Sequence, residues 1–587
     1  MRIWLFRAIA LILPLLVLLL AELAVRASGA GGDWPLFKVN PANPAYLVTE
    51  ADIVKRYFAS TSSLPTVKME PAFLLAAKPA NGIRLVVQGG STAAGYPYGA
   101  GASLAAMLEQ RLSRTFTGQR VEVVNTALAA VNSYTLLDLA DEIIAVKPDA
   151  VLIYAGHNEY LGLLGVGSHY LASQSPAITR LLISLRKLHS FQLIEQLYQQ
   201  MNPLLDETEH NSRTFMAKVA RDKDIALGSA QFEAGLKQFD SNLSRLLAKY
   251  QRAGIPVYIS TLVSNLADQP PFNSKPVPAA TRQQLAQLAQ TSPDTATYAE
   301  LLQALTTAAT AANSAELHYQ LGRHYQQRGE AEQAKQQFLL AKEHDLLRFR
   351  APEAINQQIR QLAGRYNATL VDSEAAFIAN SPQGITGNSL LLEHVHPNVQ
   401  GYFLLADSFY KALARKQTLG SWQKPVATTL VPATLVPATL VPANVAWQER
   451  PITPAEEHAG YLRILQLKAD YPFRPEPQTV QLPPAQTLQQ QWGQAYVEGK
   501  LDWLSLQNRN AQYYHQQGDG DMLLKTLKII ADALPHDANA NIQAAQILLK
   551  AGRSAEAKGY LQRARLAPEA PAQVLQQMQQ LAAALAI

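Results

Sequence analysis

The middle of this chain predicts an α/β fold, with a mostly parallel sheet covered by helices, a helical insertion, and a helical repeat region after it. Three observations predict it. From Asn81 onward, short β-branched runs alternate with helix-like stretches, the pattern of βαβ units. The runs are apolar throughout rather than alternating, as strands buried on both faces are. Two segments rich in Ala, Gln and Leu carry no strand signal and sit inside and beyond this region.

The strand candidates are IRLVVQGG (Ile83 to Gly90), VEVVNTA (Val121 to Ala127), DAVLIYAG (Asp149 to Gly156), IPVYISTLV (Ile255 to Val263) and ATLVDS (Ala368 to Ser373). Helical patterns such as SLAAMLEQRLSRTF and SYTLLDLADEIIAV separate the early ones. Ligand sites in such sheets gather where strand C-terminal ends meet loops, which directs attention to the residues after each run. The insertion is expected over about 280–365. Within it, Leu321, Gly322, Tyr325, Gly329, Ala334, Phe338 and Ala341 follow the small-and-large spacing of a tetratricopeptide helix hairpin. Nearer the C-terminus, Ala511, Tyr514, Gly518, Leu527 and Pro535 are echoed by Ala545, Leu548, Gly552, Leu561 and Pro568, a period of about 34 residues. These segments resemble tetratricopeptide repeats. An unrelated helical hairpin is the plainer alternative for each.

Between the halves, TLVPATLVPATLVPAN (Thr429 to Asn444) repeats LVPA three times. Proline at that frequency forbids a helix and favours extended backbone. The stretch therefore reads as a semi-rigid spacer holding the C-terminal helices away from the α/β domain. At the other end, Arg2 and Arg7 flank an apolar run from Ala8 to Val25, broken only by Glu22. Its length is at the lower edge of a membrane span, and the charge bias keeps the N-terminus in the cytoplasm. An uncleaved anchor is expected, with a cleaved signal peptide as the alternative. On either reading the remainder is extracytoplasmic, in the periplasm of a bacterial-style envelope. The domain boundaries are thus 1–29 for the anchor or signal, 30–415 for the α/β domain with its insertion, 416–450 for the linker and 451–587 for the C-terminal helices.

Composition narrows the chemistry. Of 587 residues, 51 are Lys or Arg and 46 Asp or Glu, a formal +5, too weak a balance for a nucleic-acid partner. An apolar share of 48% with 17% charged residues fits packed domains. The absence of cysteine removes disulfides, thiolate metal sites and a cysteine nucleophile. No metal-binding or cofactor-binding pattern is present, so no cofactor and no metal are expected.

The remaining motifs sit after strands. GGSTAAG (Gly89 to Gly95) places Ser91 at a strand-to-helix turn; alone, it is equally a Gly-rich βα turn. YAGHNEY (Tyr154 to Tyr160) offers the Asn158 amide as an oxyanion donor, or as a helix cap. NTALAAVNS (Asn125 to Ser133) offers the Ala127 backbone amide. Late in the chain, LLLEHVHPNVQG holds Glu393 and His396 three apart, before a helix. A serine hydroxyl needs a base such as histidine, and the base needs an acid to hold its tautomer. His394 is a competitor for the base role.

In this order, strand–GGST, strand–NTA, strand–GHNE and E-x-x-H-P-N resemble the SGNH (GDSL-like) hydrolase family, over roughly 80–265 and 366–415. The resemblance implies a three-layer, flavodoxin-like hydrolase domain with Ser91 as nucleophile, His396 as base and Glu393 in the position of the family's aspartate. It implies an oxyanion hole from the Ser91 amide, Ala127 and Asn158. Two departures stand out: alanine replaces the family's glycine at 127, and Glu393 is one methylene longer than aspartate. The function implied is that of a membrane-anchored serine esterase on an ester-bearing glycan, lipid or small molecule, including O-acetyl groups. Acyl transfer to an envelope glycan uses the same residues, and a non-catalytic scaffold binding a protein partner through the helical repeats is a third reading. The insertion, with NLADQPPF (Asn265 to Phe272) leading into it, is expected to form a wall of the site.

Overall fold

The computed structural model describes residues 2–58, 67–167, 175–201, 224–420, 422–423, 438–567 and 571–586. Residues 429–437 of the LVPA stretch and Pro568 lie outside them.

Each of the five expected runs holds a strand: β1 (Ile83–Gly89), β2 (Val121–Asn125), β3 (Ala150–Tyr154), β4 (Val257–Ser260) and β5 (Thr369–Val371). They form one parallel sheet in the order β2-β1-β3-β4-β5. In register, Val86 pairs with Val124 on one side and Val151 on the other. Every residue of β1 and β3 is buried, which accounts for their unbroken apolar character.

The labelled helices are α1 (Arg2–Ala27), α2 (Ser91–Ala94), α3 (Leu104–Thr115), α4 (Ala230–Arg252), α5 (Glu353–Arg365), α6 (Val399–Lys416) and α7 (Pro454–Lys468). α3 and α6 pack on each other and on the sheet, and α4 and α5 form a second such group. α4 begins where the Ser229 hydroxyl accepts from the Phe232 amide and buries Phe239, Leu243, Leu246, Leu247 and Tyr250 along one face, at helical spacing. α6 begins at Asn398, whose side chain accepts from the Gly401 amide, a favoured N-cap arrangement. Within α1, Ala10–Ala27 has mean hydropathy 2.3 and is 6% buried, and it is long and apolar enough to cross a membrane.

The segment inserted between β4 and β5 divides in two. Helices Ala279–Gln290, Ala296–Ala312, Ala315–Gln327 and Ala331–His344 build cores of their own around Leu288, Leu305 and Leu321, and around Phe338. The next helix, α5, lies on β4 and β5 and buries Ile355, Ile359 and Leu362 in the main core. In the 315–344 hairpin, a side chain at Gly322 would meet the Phe338 ring at 2.7 Å, so the small residue admits the large one.

The C-terminal helices are not held away from the α/β domain, contrary to the spacer expectation. Tyr46 Oη donates to the Pro535 carbonyl at 2.8 Å, Arg463 to the Pro97 carbonyl at 2.7 Å, and α7 approaches so closely that a side chain at Gly460 would strike the Tyr98 ring. The physical reason lies in the end of the linker itself. The Val441 carbonyl accepts from the Arg111 guanidinium at 2.8 Å, and Glu449 accepts from Gln110 at 2.7 Å. Both donors are on α3.

A buried ion pair ties the sheet to its surroundings. Arg84 on β1 donates to Glu122 on β2 at 2.8 Å, to the Val146 carbonyl at 2.8 Å and to the Leu75 carbonyl at 2.7 Å; Leu75 ends a small antiparallel sheet of Phe37–Val39, Tyr46–Thr49 and Phe73–Leu75. Removing one partner strands the other as a buried charge. Arg84→Ala is expected to cost about 3–5 kcal/mol in urea denaturation of the full chain; a loss below about 1 kcal/mol would contradict this account.

Candidate active site

β1 ends at Gly89, and Ser91 is the first residue of α2. The first amides of a helix have no intrahelical acceptor, so the Ser91 N–H is available to a ligand. Its side chain meets the late histidine: Ser91 Oγ lies 2.7 Å from His396 Nε2. On the other side of the ring, His396 Nδ1 is hydrogen-bonded to Glu393 Oε1. That carboxylate assigns the ring proton to Nδ1, leaving Nε2 to accept from the serine hydroxyl. Residues 305 apart in sequence are thus joined at the C-terminal edge of the sheet.

The extra methylene of Glu393 is accommodated by a tight loop. The Leu392 amide donates to the His396 carbonyl at 2.8 Å, and Glu393 Oε1 also accepts the His396 amide at 3.0 Å. Glu393 is 0% and His396 6% exposed. Burial pushes His396 down to about 3, so the ring is neutral at neutral pH, as a general base must be.

His394 does not reach Ser91. Its Nδ1 lies against the other oxygen of Glu393, and its ring is faced by Phe272, Phe349 and Phe473 at 5.3–6.0 Å. Of the two histidines, His396 is the one hydrogen-bonded to Ser91. Among the described residues, the one cluster of three His or carboxylate side chains compact enough for a metal is Glu393, His394 and His396. A cation there would have to displace the His396–Glu393 hydrogen bond.

The oxyanion candidates divide. A side chain on Gly90 would meet Asn158 Nδ2 at 2.8 Å, so the bare glycine lets that amide rest against the residue before the nucleophile. One Asn158 N–H is donated to the Val131 carbonyl at 3.0 Å, and the amide has a second proton to give. The Ala127 N–H is already committed to Asn125 Oδ1 at 3.1 Å. As an oxyanion donor it must first give up that bond, a correction to the three-donor expectation.

Two neighbours in the same motifs carry structure that their spacing did not reveal. Glu159 is wholly buried and accepts from Ser133 Oγ at 2.7 Å, the Ser133 amide at 3.1 Å and Gln238 Nε2 at 2.6 Å; burial pushes it up to about 7. It fixes the loop that carries Asn158. Tyr96 lies 4.7 Å from the His396 ring, and its carbonyl accepts from Tyr402 Oη at 2.6 Å. The sequence signal for both was adjacency to a motif residue and nothing stronger. The Asn265–Phe272 loop abuts the site as expected: the Asn265 amide donates to the His394 carbonyl at 2.9 Å. Tyr319 of the insertion donates to the Ala267 carbonyl at 3.0 Å.

No protein-family model matches this chain, and comparison with curated proteins gives no match. Among solved structures it is similar to Axe2, an acetylxylan esterase from Geobacillus stearothermophilus, at 14% identity and a TM-score of 0.27, over 57% of this chain and 96% of that one. It is similar to the psychrotrophic esterase EstA from Pseudoalteromonas sp. (12% identity, TM-score 0.25, 57% and 98% covered). A third likeness is the lipase/acylhydrolase from Enterococcus faecalis (12% identity, TM-score 0.26, 56% and 95% covered).

Gly90 has φ −88°, which alanine adopts freely, so Gly90→Ala acts on Asn158 alone. It is expected to slow labelling of Ser91 by a fluorophosphonate by about 10²-fold, the worth of one oxyanion donor, with the thermal midpoint nearly unchanged. An unaltered labelling rate would remove Asn158 from the oxyanion hole.

Proposed function

We propose that this chain is a serine esterase of the SGNH type, anchored by α1 with its catalytic domain outside the cytoplasm. The observation that carries the reading is Ser91 Oγ at 2.7 Å from His396 Nε2, with Glu393 on the opposite ring nitrogen. The sheet order β2-β1-β3-β4-β5 agrees with it, being the order of flavodoxin-like sheets, whose switch point falls between β1 and β3. Ser91 follows the first of those strands and Asn158 the second.

In this mechanism Ser91 Oγ attacks the ester carbonyl while His396 Nε2 takes its proton. The Ser91 N–H and the free Asn158 N–H receive the oxyanion, and Glu393 holds the imidazolium. His396 then protonates the leaving alcohol, and the acyl group remains on Ser91. Water enters, gives a proton to His396, and attacks the acyl carbon; collapse returns that proton to Ser91 and releases the acid. The substrate is an ester-bearing glycan, lipid or small molecule. The hairpins at 315–344 and 503–564 read as tetratricopeptide-like units with a surface for a protein partner.

Ser91→Ala is expected to abolish both hydrolysis of 4-nitrophenyl acetate and fluorophosphonate labelling. Turnover surviving in a folded Ser91→Ala protein would sink the reading. The pH profile follows from His396: a base is active when neutral, and a lowered pKa keeps it neutral further into acid. At pH 5, kcat/KM should remain close to its value at pH 7.5, whereas an ordinary histidine near 6.5 would leave about 3% of the base neutral there. A midpoint near 6.5 would show that the Glu393 carboxylate on Nδ1 offsets the effect of burial.

A further inference from the structure

Helices Pro176–Leu185 and His189–Met201 turn much of their apolar surface outward, although Ile183 of the first is buried. Ile178 and Leu181 are about half exposed, whereas Arg180 of the same helix turns inward, donating to Asn242 Oδ1 at 2.7 Å and Ser241 Oγ at 3.2 Å. The second helix buries His189 and Gln192 and exposes Ile194 (62%), Leu197 (50%) and Met201 (81%), spaced as one helical face. Leu188 between the helices is exposed as well. An apolar face of this extent on a soluble surface marks an interaction site.

Its place identifies the occupant. The second helix lies against α1, and the two are locked by a polar knot. Glu22 of α1 accepts the His189 and Ser190 amides at 2.9 and 2.8 Å and the Ser190 hydroxyl at 2.7 Å. Arg26 donates to Glu22 at 2.7 Å and to the Lys187 carbonyl at 3.1 Å. The exposed face is therefore continuous with the end of the helix whose flank carries Leu11, Leu15 and Leu18 at 65–72% exposure. A lipid bilayer is the one apolar medium that both surfaces meet at once.

We propose that the 176–201 helix pair lies in the bilayer interface beside α1, its Ile178, Leu181, Ile194, Leu197 and Met201 face among the acyl chains, so that the catalytic domain rests on the membrane in one orientation rather than hanging from a tether. The proposal rests on the reading of α1 as a membrane span. Such interfacial helices bury their apolar face about 5–10 Å into the headgroup–acyl boundary.

The natural absence of cysteine makes the test direct. Leu197→Cys and, separately, Ile194→Cys in the full chain are labelled with an NBD fluorophore and reconstituted in phosphatidylcholine–phosphatidylglycerol vesicles. Leu16→Cys on α1 and Leu566→Cys on the C-terminal helices serve as lipid and water references. The 197 and 194 probes are expected to lose about half their emission to a nitroxide placed shallow in the acyl chains and little to aqueous iodide. Iodide quenching equal to that at 566 would overturn the proposal. Shielding from iodide without quenching by the lipid nitroxide would also overturn it, assigning the face to a second copy of the chain. Lipid quenching at 16 with none at 197 and 194 fails this proposal and leaves the anchor intact; the reverse fails the anchor, and with it the placement of the pair beside a spanning α1.

Discussion

A carboxylate out of reach of water must be paired or lose its charge, and the environment of Glu393 answers that demand. Its oxygens meet His396 Nδ1, the His396 amide and His394 Nδ1. Pairing it there closes the 392–396 loop, aims His396 Nε2 at Ser91, and places Pro397 and Asn398 to start α6. The dryness comes from elsewhere in the chain. Phe272 precedes the insertion and Phe349 follows its helices, while Phe473 belongs to the C-terminal region, and all three rings close on His394. Lys468 of α7 donates to the Leu392 carbonyl at 2.8 Å. Three segments far apart in sequence thus keep one carboxyl group dry and oriented.

The strands were legible because β1 and β3 are buried on both faces and need no alternation, so each appears as an apolar run ending in glycine or a polar turn. Ser91, Asn158 and His396 stood out in the sequence because each follows a strand or precedes a helix in a fixed order, and the structure brings Ser91 and His396 into contact. Ala127 was legible only as a position: that Asn125, two residues earlier, would bind its amide depends on a side-chain rotamer that spacing does not encode. The docking of the C-terminal helices was illegible for a related reason. It relies largely on backbone carbonyls at Pro97, Val441 and Pro535, which every residue type offers alike, with Glu449 as a side-chain partner of Gln110, and the proline repeat beside them suggested separation instead.

The loop bearing Asn158 has its own support, independent of the Ser91–His396–Glu393 cluster. Glu159 grips Ser133, Asn242 Nδ2 donates to that same Ser133 hydroxyl at 2.9 Å, and Arg180 donates to Asn242 Oδ1. The loop bearing Asn158 and the 176–185 helix therefore share one buried polar frame, while the Ser91–His396–Glu393 cluster is framed by α6, α7 and the phenylalanines. The two clusters are held by different parts of the molecule.

The docked C-terminal helices bear on how such a chain can change over evolutionary time. A proline-rich joint looks like a seam at which modules are swapped. Here, what lies beyond the seam supplies Phe473 to the surroundings of His394 and Lys468 to the Leu392 carbonyl. A replacement module would have to bring its own dry surface and its own donor for the Leu392 carbonyl. The proline-rich joint is therefore no physical boundary, because the packed unit extends past it.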